Sequence, residues 1–175
     1  MVLRKLAMRK FWAALGSFIF LVIAPGTIAG YLPWAISQGK MQPPFMGQDW
    51  IRIAGAALAL LGLVPLLNSF LRFALEGLGT PAPIAPPQHL VVTGFYRRVR
   101  NPMYVGVVAT IFGEALFLGD ARLLWYAAVV WLAFHLFVLG YEEPTLLQSF
   151  GDQYRTYREN VPRWLPRVTA WRQTG

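Results

Sequence analysis

Apolar residues gather into four long runs, at positions 11–36, 51–75, 102–118 and 123–141, separated by short polar or proline-rich stretches. The runs are continuous rather than alternating, and at this length the pattern predicts helices, not strands. Each reaches roughly the 17–25 residues a helix needs to cross the hydrocarbon core of a bilayer. Only helices or closed barrels satisfy every backbone polar group in lipid. The expected fold is all-α: one integral membrane domain over residues 1–175, with four transmembrane helices.

Breaks in the pattern refine this picture. Pro25 and Pro33 predict a kinked outer end for the first span. Residues 37–50 form a short outer loop. Gly55, Ala56, Ala57, Ala59 and Gly62 give the second span a stripe of small residues, the usual seam for close helix packing in membranes. Residues 77–87 are too rich in glycine and proline for a regular helix, and read as a linker or a structured loop over a site. Asn101-Pro102 is a helix start, with asparagine as cap and proline in the first turn. The last span should end near Tyr141 to Glu143, because Pro144 disfavours helical geometry at the residue before it; Pro144 can then open another helix. Beyond it, Leu146, Leu147, Phe150, Tyr154 and Tyr157 recur at helical spacing, with Arg155, Arg158 and Glu159 between them. This predicts a C-terminal amphipathic helix lying at the membrane interface, ended by the segment 161–167.

Composition agrees: 56% of residues are hydrophobic and 14% charged, against about a quarter charged in soluble domains. With no cysteine, disulfides and cysteine-ligated metals are excluded, and no metal-binding motif is present. The net charge of +8 could suggest nucleic acid, but its distribution indicates topology instead. Thirteen of the sixteen basic residues fall on one side if four helices alternate; Lys40, Arg52 and Arg122 fall on the other. The positive-inside rule then places both termini in the cytoplasm. The first run also has features of a cleavable signal peptide near residues 26–30. Its apolar character continues through Tyr31, Leu32 and Trp34, which favours a retained span.

This topology brings two polar clusters to the same face: Arg97, Arg98, Arg100 and Asn101 at the start of span three, and Glu142 and Glu143 at the end of span four. The arginines could contact lipid headgroups. With the helix start, they could equally hold a carboxylate or phosphate. Two acids at a helix C-terminus oppose its dipole, so an ammonium, a sulfonium or a loop arginine is expected beside them. Glu114 and His135 are ionisable residues inside spans, and such residues are functional candidates. Glu114 sits toward the outer side, where it could snorkel or pair with Arg122. His135 could line a pocket near the inner end or simply pack between helices.

The ordered motifs Gly94-Phe95-Tyr96-Arg97-Arg98-Val99-Arg100-Asn101-Pro102-Met103-Tyr104-Val105-Gly106, Glu142-Glu143-Pro144, Phe150-Gly151-x-x-Tyr154-x-x-Tyr157 and Val161-Pro162-Arg163 resemble those of isoprenylcysteine carboxyl methyltransferases and phospholipid N-methyltransferases. The resemblance covers residues 77–167, and Thr80-Pro81-Ala82-Pro83 is similar to the bacterial members, which implies a bacterial inner membrane. It implies a methyltransferase with S-adenosylmethionine as donor, bound on the cytoplasmic face. Tyr96, Arg100, Asn101, Tyr104, Gly106, His135, Glu142, Glu143, Tyr154 and Tyr157 would hold the donor. Arg163 would orient an acceptor carboxylate, and Glu143 or His135 would take a proton from an amine acceptor. The acceptor would be lipidic or membrane-delivered, and carboxyl O-methylation is one option. The family more often has histidine at the position of Asn101, and asparagine does not titrate near neutrality. Two other readings remain at this point: a membrane reductase of the sterol type, whose C-terminal end looks similar, and a non-catalytic membrane scaffold.

Overall fold

In the computed structural model, residues 2–76 and 89–172 are described, and every regular element among them is a helix. The run at 77–87 lies outside them. α1 (Val2–Gly26) continues through a π turn, Thr27–Tyr31, into α2 (Leu32–Ser37). α3 spans Asp49–Glu76, α4 Pro102–Leu118 and α5 Ala121–Phe137. A second π turn, Val138–Glu142, joins α5 to α6 (Glu143–Asn160). Three stretches are long and apolar enough to cross a membrane: Leu15–Ser37, Asp49–Arg72 and the helical path that opens at Ala121. The fourth expected span, α4, is apolar but shorter, at 17 residues, or about 25 Å at 1.5 Å per residue.

α4 is the central helix. Val107, Ile111 and Ala115 are buried on it, and its other side meets the small-residue seam of α3. A Cβ on Gly106 would sit 2.6 Å from the Gly62 carbonyl oxygen, and one on Gly62 would sit 2.7 Å from Thr110 Oγ1. Only glycine permits this approach. Thr110 donates to the Gly106 carbonyl at 2.9 Å, which satisfies its hydroxyl within the helix. Ile53, Leu60, Trp125, Val129, Leu132 and Leu136 stand exposed on the outside of the bundle, as lipid-facing residues do.

As expected, a new helix opens at Pro144, in the first turn of α6; the end expected for the span between Tyr141 and Glu143 is a continuous π turn rather than a break. Glu142 and Glu143 both keep right-handed helical geometry, because the π turn absorbs Pro144. A proline ring collides with the carbonyl four residues earlier, here that of Gly140, which lies inside the widened turn. The first π turn contains Ala29 in the same relation to Pro33. The break in the C-terminal helix comes later, at Gly151, with φ 50° and ψ −122°, a region that L side chains avoid. The apolar stripe of α6 also meets protein. Tyr154 and Tyr157 are buried with Val161, against Leu90, Val92, Leu146, Leu147, Phe150 and Trp171.

At the opposite end, Arg52 donates to the Phe117 carbonyl at 2.7 Å and to that of Gln42. Asp120 caps α5 by accepting from the Arg122 backbone at 3.0 Å, and binds the Arg122 guanidinium at 2.6 Å. Arg122 is thus paired with Asp120 and not with Glu114, one of the two roles the sequence left open for that acid. Glu114 Oε2 is buried with no partner among the described residues.

Candidate functional site

The start of α4, the junction of α5 with α6, and the chain after α6 converge at one end of the bundle. The backbone makes the junction. Arg100 N–H donates to the Pro162 carbonyl at 2.9 Å, Arg167 N–H to Arg98 at 2.9 Å and Trp171 N–H to Arg97 at 2.8 Å. The terminal segment therefore runs alongside the turn that leads into α4. Arg97 Nε also donates to the Trp171 carbonyl at 2.6 Å, and Arg98 to that of Val168. These two arginines clamp the segment.

Glu143 is the hub. Its carboxylate accepts from Arg163 at 2.6 and 2.9 Å, through Nε and Nη2, and from Arg100 Nη1 at 2.9 Å. The Glu143 and Arg100 side chains are about nine-tenths buried, and that of Arg163 is 29% exposed. A forked guanidinium with a second arginine is a strong arrangement for a carboxylate. It meets the expectation of a loop arginine beside the acids. The Glu143 carboxylate holds the Arg163 guanidinium above its ordinary pKa by hydrogen bonding. Arg100 also donates to the Tyr154 hydroxyl at 3.2 Å, while its Nε is buried without a partner among the described residues.

Glu142 faces a different partner. The Tyr104 hydroxyl, one turn into α4, donates to its Oε2 at 3.0 Å. Tyr104 stacks on Phe134 of α5, with ring centroids 4.5 Å apart. The Tyr157 hydroxyl donates to the Tyr96 carbonyl at 2.7 Å. Burial pushes the Tyr96 hydroxyl well above its usual pKa.

Asn101 does start α4, but its side chain does not cap it. Nδ2 donates instead to the Arg163 carbonyl at 3.1 Å, so this asparagine ties the helix start to the residue that grips Glu143. Of the remaining sequence candidates, Gly106 is taken up by the α3 seam. His135 lies on the outside of the cluster: its Nδ1 accepts from Trp164 Nε1 at 3.0 Å, and its ring stacks on Trp131 at 5.1 Å. Sequence reasoning missed Trp164 and Phe134. Trp164 comes directly after the Val161-Pro162-Arg163 motif, which was its available signal.

Protein-S-isoprenylcysteine O-methyltransferase of Schizosaccharomyces pombe is 38% identical over 82 residues, 46% of this chain and 34% of that protein. Protein-S-isoprenylcysteine O-methyltransferase B of Arabidopsis thaliana is 36% identical over 80 residues, 45% of this chain and 40% of the relative. Methanethiol S-methyltransferase 1 of Bradyrhizobium diazoefficiens is 31% identical over 91 residues, 51% of this chain and 29% of the relative. The matched stretch thus spans well under half the length of each of these three. No solved structure matches the chain. The profile of the phospholipid methyltransferase family matches residues 50–153, more than half of the chain, and the chain belongs to that family.

Proposed function

We propose that this chain is a membrane methyltransferase that takes its methyl group from S-adenosylmethionine and delivers it to a lipidic or membrane-delivered acceptor. Family membership and the methyltransferase relatives support the reaction class. The observation that carries the reading is the paired use of Glu142 and Glu143 at the end of the last apolar helix: one closed by two arginines, the other held by a single tyrosine. In this reading all four apolar helices cross the membrane, and the site faces the cytoplasm with both termini.

The residues fit the donor. Its ammonium and sulfonium suit the Glu142 carboxylate and the Tyr104 and Phe134 rings. Its carboxylate suits Arg100, whose Nε has an unused proton. When bound, the donor supplies a methyl group on a positively charged sulfur. The protein's own work is positioning, which supplies much of the rate in a displacement of this kind. Arg163 and Arg100 fix Glu143, and Glu143 in turn fixes both guanidiniums where α4, α6 and the terminal segment meet. Asn101 and Tyr154 hold the same junction from the other sides. Two charged partners make Glu143 a poor proton acceptor. If the acceptor is a thiol or an amine, Glu142, held by one neutral hydroxyl, is the better group to receive its proton. A carboxylate acceptor needs no base.

Calorimetry with S-adenosylmethionine on purified protein in lipid nanodiscs tests this reading. Wild type should bind in the micromolar range and Glu142→Gln at least tenfold more weakly, with its melting temperature retained. Folded wild type that does not bind sinks the proposal.

A further inference from the structure

We infer that residues Trp164–Val168 form a wedge that inserts into the bilayer beside α5, with the arginines around it gripping anionic lipid headgroups. Depth is the first reason. His135 lies six residues before Tyr141, hence about 9 Å inside the end of the apolar run at 1.5 Å per residue. The Trp164 indole hydrogen-bonds this histidine at 3.0 Å, and its ring lies 6.4 Å from that of Trp131, a turn deeper still. Their helix neighbours Leu132 and Leu136 are 50% and 60% exposed. The terminal segment therefore packs on the outer, lipid-facing side of α5, below the level at which the apolar helix ends.

Exposure is the second reason. Leu165 and Val168 are 81% and 87% exposed, with no described residue covering either. Pro162 and Pro166 bracket the turn, and Trp164 and Trp171 flank it. Indoles beside apolar tips are the composition of a membrane interface.

Charge and backbone complete the case. Arg158, within electrostatic reach of Glu143, and Arg172, next to the clamped Trp171, are both exposed, and Arg167 adjoins the two apolar tips in sequence. Basic side chains around an apolar insertion attract anionic lipid. Non-helical backbone near lipid must have its polar groups satisfied by protein. Two groups of the wedge are met in this way, the Arg167 amide by the Arg98 carbonyl and the Val168 carbonyl by the Arg98 side chain, and Arg97 anchors Trp171 just beyond it. α6 competes less for the role, since Tyr154 and Tyr157 of its apolar stripe are buried against protein and Leu146, Leu147 and Phe150 are half-buried. The wedge also carries Arg163 at its base, so membrane contact and the Glu143 hub share one short piece of chain.

The absence of native cysteine makes the test direct. Nitroxide labels go on single variants Leu165→Cys and Val168→Cys, with Ile53→Cys as the lipid-facing control and Asp152→Cys as the aqueous one. Full-length protein is placed in phosphatidylcholine vesicles with and without phosphatidylglycerol. Collision with oxygen and with a water-soluble nickel chelate is read by electron paramagnetic resonance. The labels at 165 and 168 should favour oxygen several-fold over the chelate, as at 53, and phosphatidylglycerol should move them deeper. Arg158→Gln combined with Arg172→Gln should abolish the response to phosphatidylglycerol and leave the apolar insertion in place. Labels as open to the chelate as at 152 would overturn the wedge, and equal depth in both lipids would overturn the headgroup contact. All substituted positions are exposed, so size-exclusion profiles matching wild type are expected to accompany either result.

Discussion

Glu143→Gln is the perturbation that tests the hub most sharply. The substitution keeps the shape of the side chain and removes its charge. Arg100 is then left with its side chain only 8% exposed and its nearest counter-charge gone, across from the Arg163 guanidinium. Removing one partner of a buried ion pair costs about 3–5 kcal/mol, because the other charge stays buried without compensation. Arg163 is partly open to solvent, and water screens that half of the loss, which argues for the lower end of the range. In a chain of this size, a loss of about 3 kcal/mol lowers the melting temperature by roughly 6–12 °C. Intrinsic fluorescence from the seven tryptophans reports the transition in detergent micelles. The double variant Arg100→Met with Glu143→Met supplies the control. Apolar groups replacing both remove the buried Arg100 charge and leave only Arg163, which is partly open to solvent, so the double variant should be more stable than the two single losses predict, by about 0.5–3 kcal/mol. A melting temperature within about 1 °C of wild type for Glu143→Gln, or strict additivity in the double variant, would refute the account of Glu143 as a buried hub.

Three further outcomes derive from the geometry. Gly106→Ala puts a methyl 2.6 Å from the Gly62 carbonyl oxygen; forcing α3 and α4 apart should cost about 1–3 kcal/mol, read as a lower melting temperature. Gly151→Ala imposes a side chain at φ 50°, ψ −122° and should cost about 1–3 kcal/mol, with weaker donor binding because Tyr154 and Tyr157 lie just beyond the break. The Asp120 carboxyl is held below its ordinary pKa, chiefly by the hydrogen bond from Arg122. A depressed folded pKa contributes stability above the unfolded value of about 3.9 and loses it as pH falls through the folded value. Melting temperature should therefore fall below about pH 4, and Asp120→Asn should flatten that limb while lowering the plateau above it.

Much of the architecture was legible because the bilayer imposes length and polarity on each helix. The four apolar runs, the Gly55–Gly62 seam and the helix start at Pro102 all arise from that constraint and from local steric rules. The sequence also indicated that Arg100 and the two acids share a face, since span counting alone sets which ends meet. It did not indicate which arginine would serve which acid. That choice depends on the terminal segment folding back along residues 97–100, a contact between positions more than sixty residues apart, which no local periodicity encodes. Asn101 illustrates the same limit: its neighbours favour a cap, but the carbonyl of Arg163 arrives from across the fold and takes the side chain instead.

Pro144 is where a sound local rule gave way to a global demand, and the way it did so bears on the site. Proline normally ends a helix at the residue before it. In a membrane protein, ending one there would leave carbonyls unpaired near lipid, at several kcal/mol each. Widening one turn is the smaller cost, and it has a geometric consequence. Consecutive residues on an α-helix point about 100° apart, so two adjacent acids would ordinarily serve different surfaces. Here both reach the start of α4, Glu143 through Arg100 just before it and Glu142 through Tyr104 in its first turn, with Glu142 the last residue of the π turn and Glu143 directly after it. Pi turns are frequent at functional sites for this reason: the extra residue re-aims the side chains beyond it without interrupting the helix. Glu142-Glu143-Pro144 is thus one device, in which the proline requires the bulge and the bulge brings both carboxylates to the same end of α4.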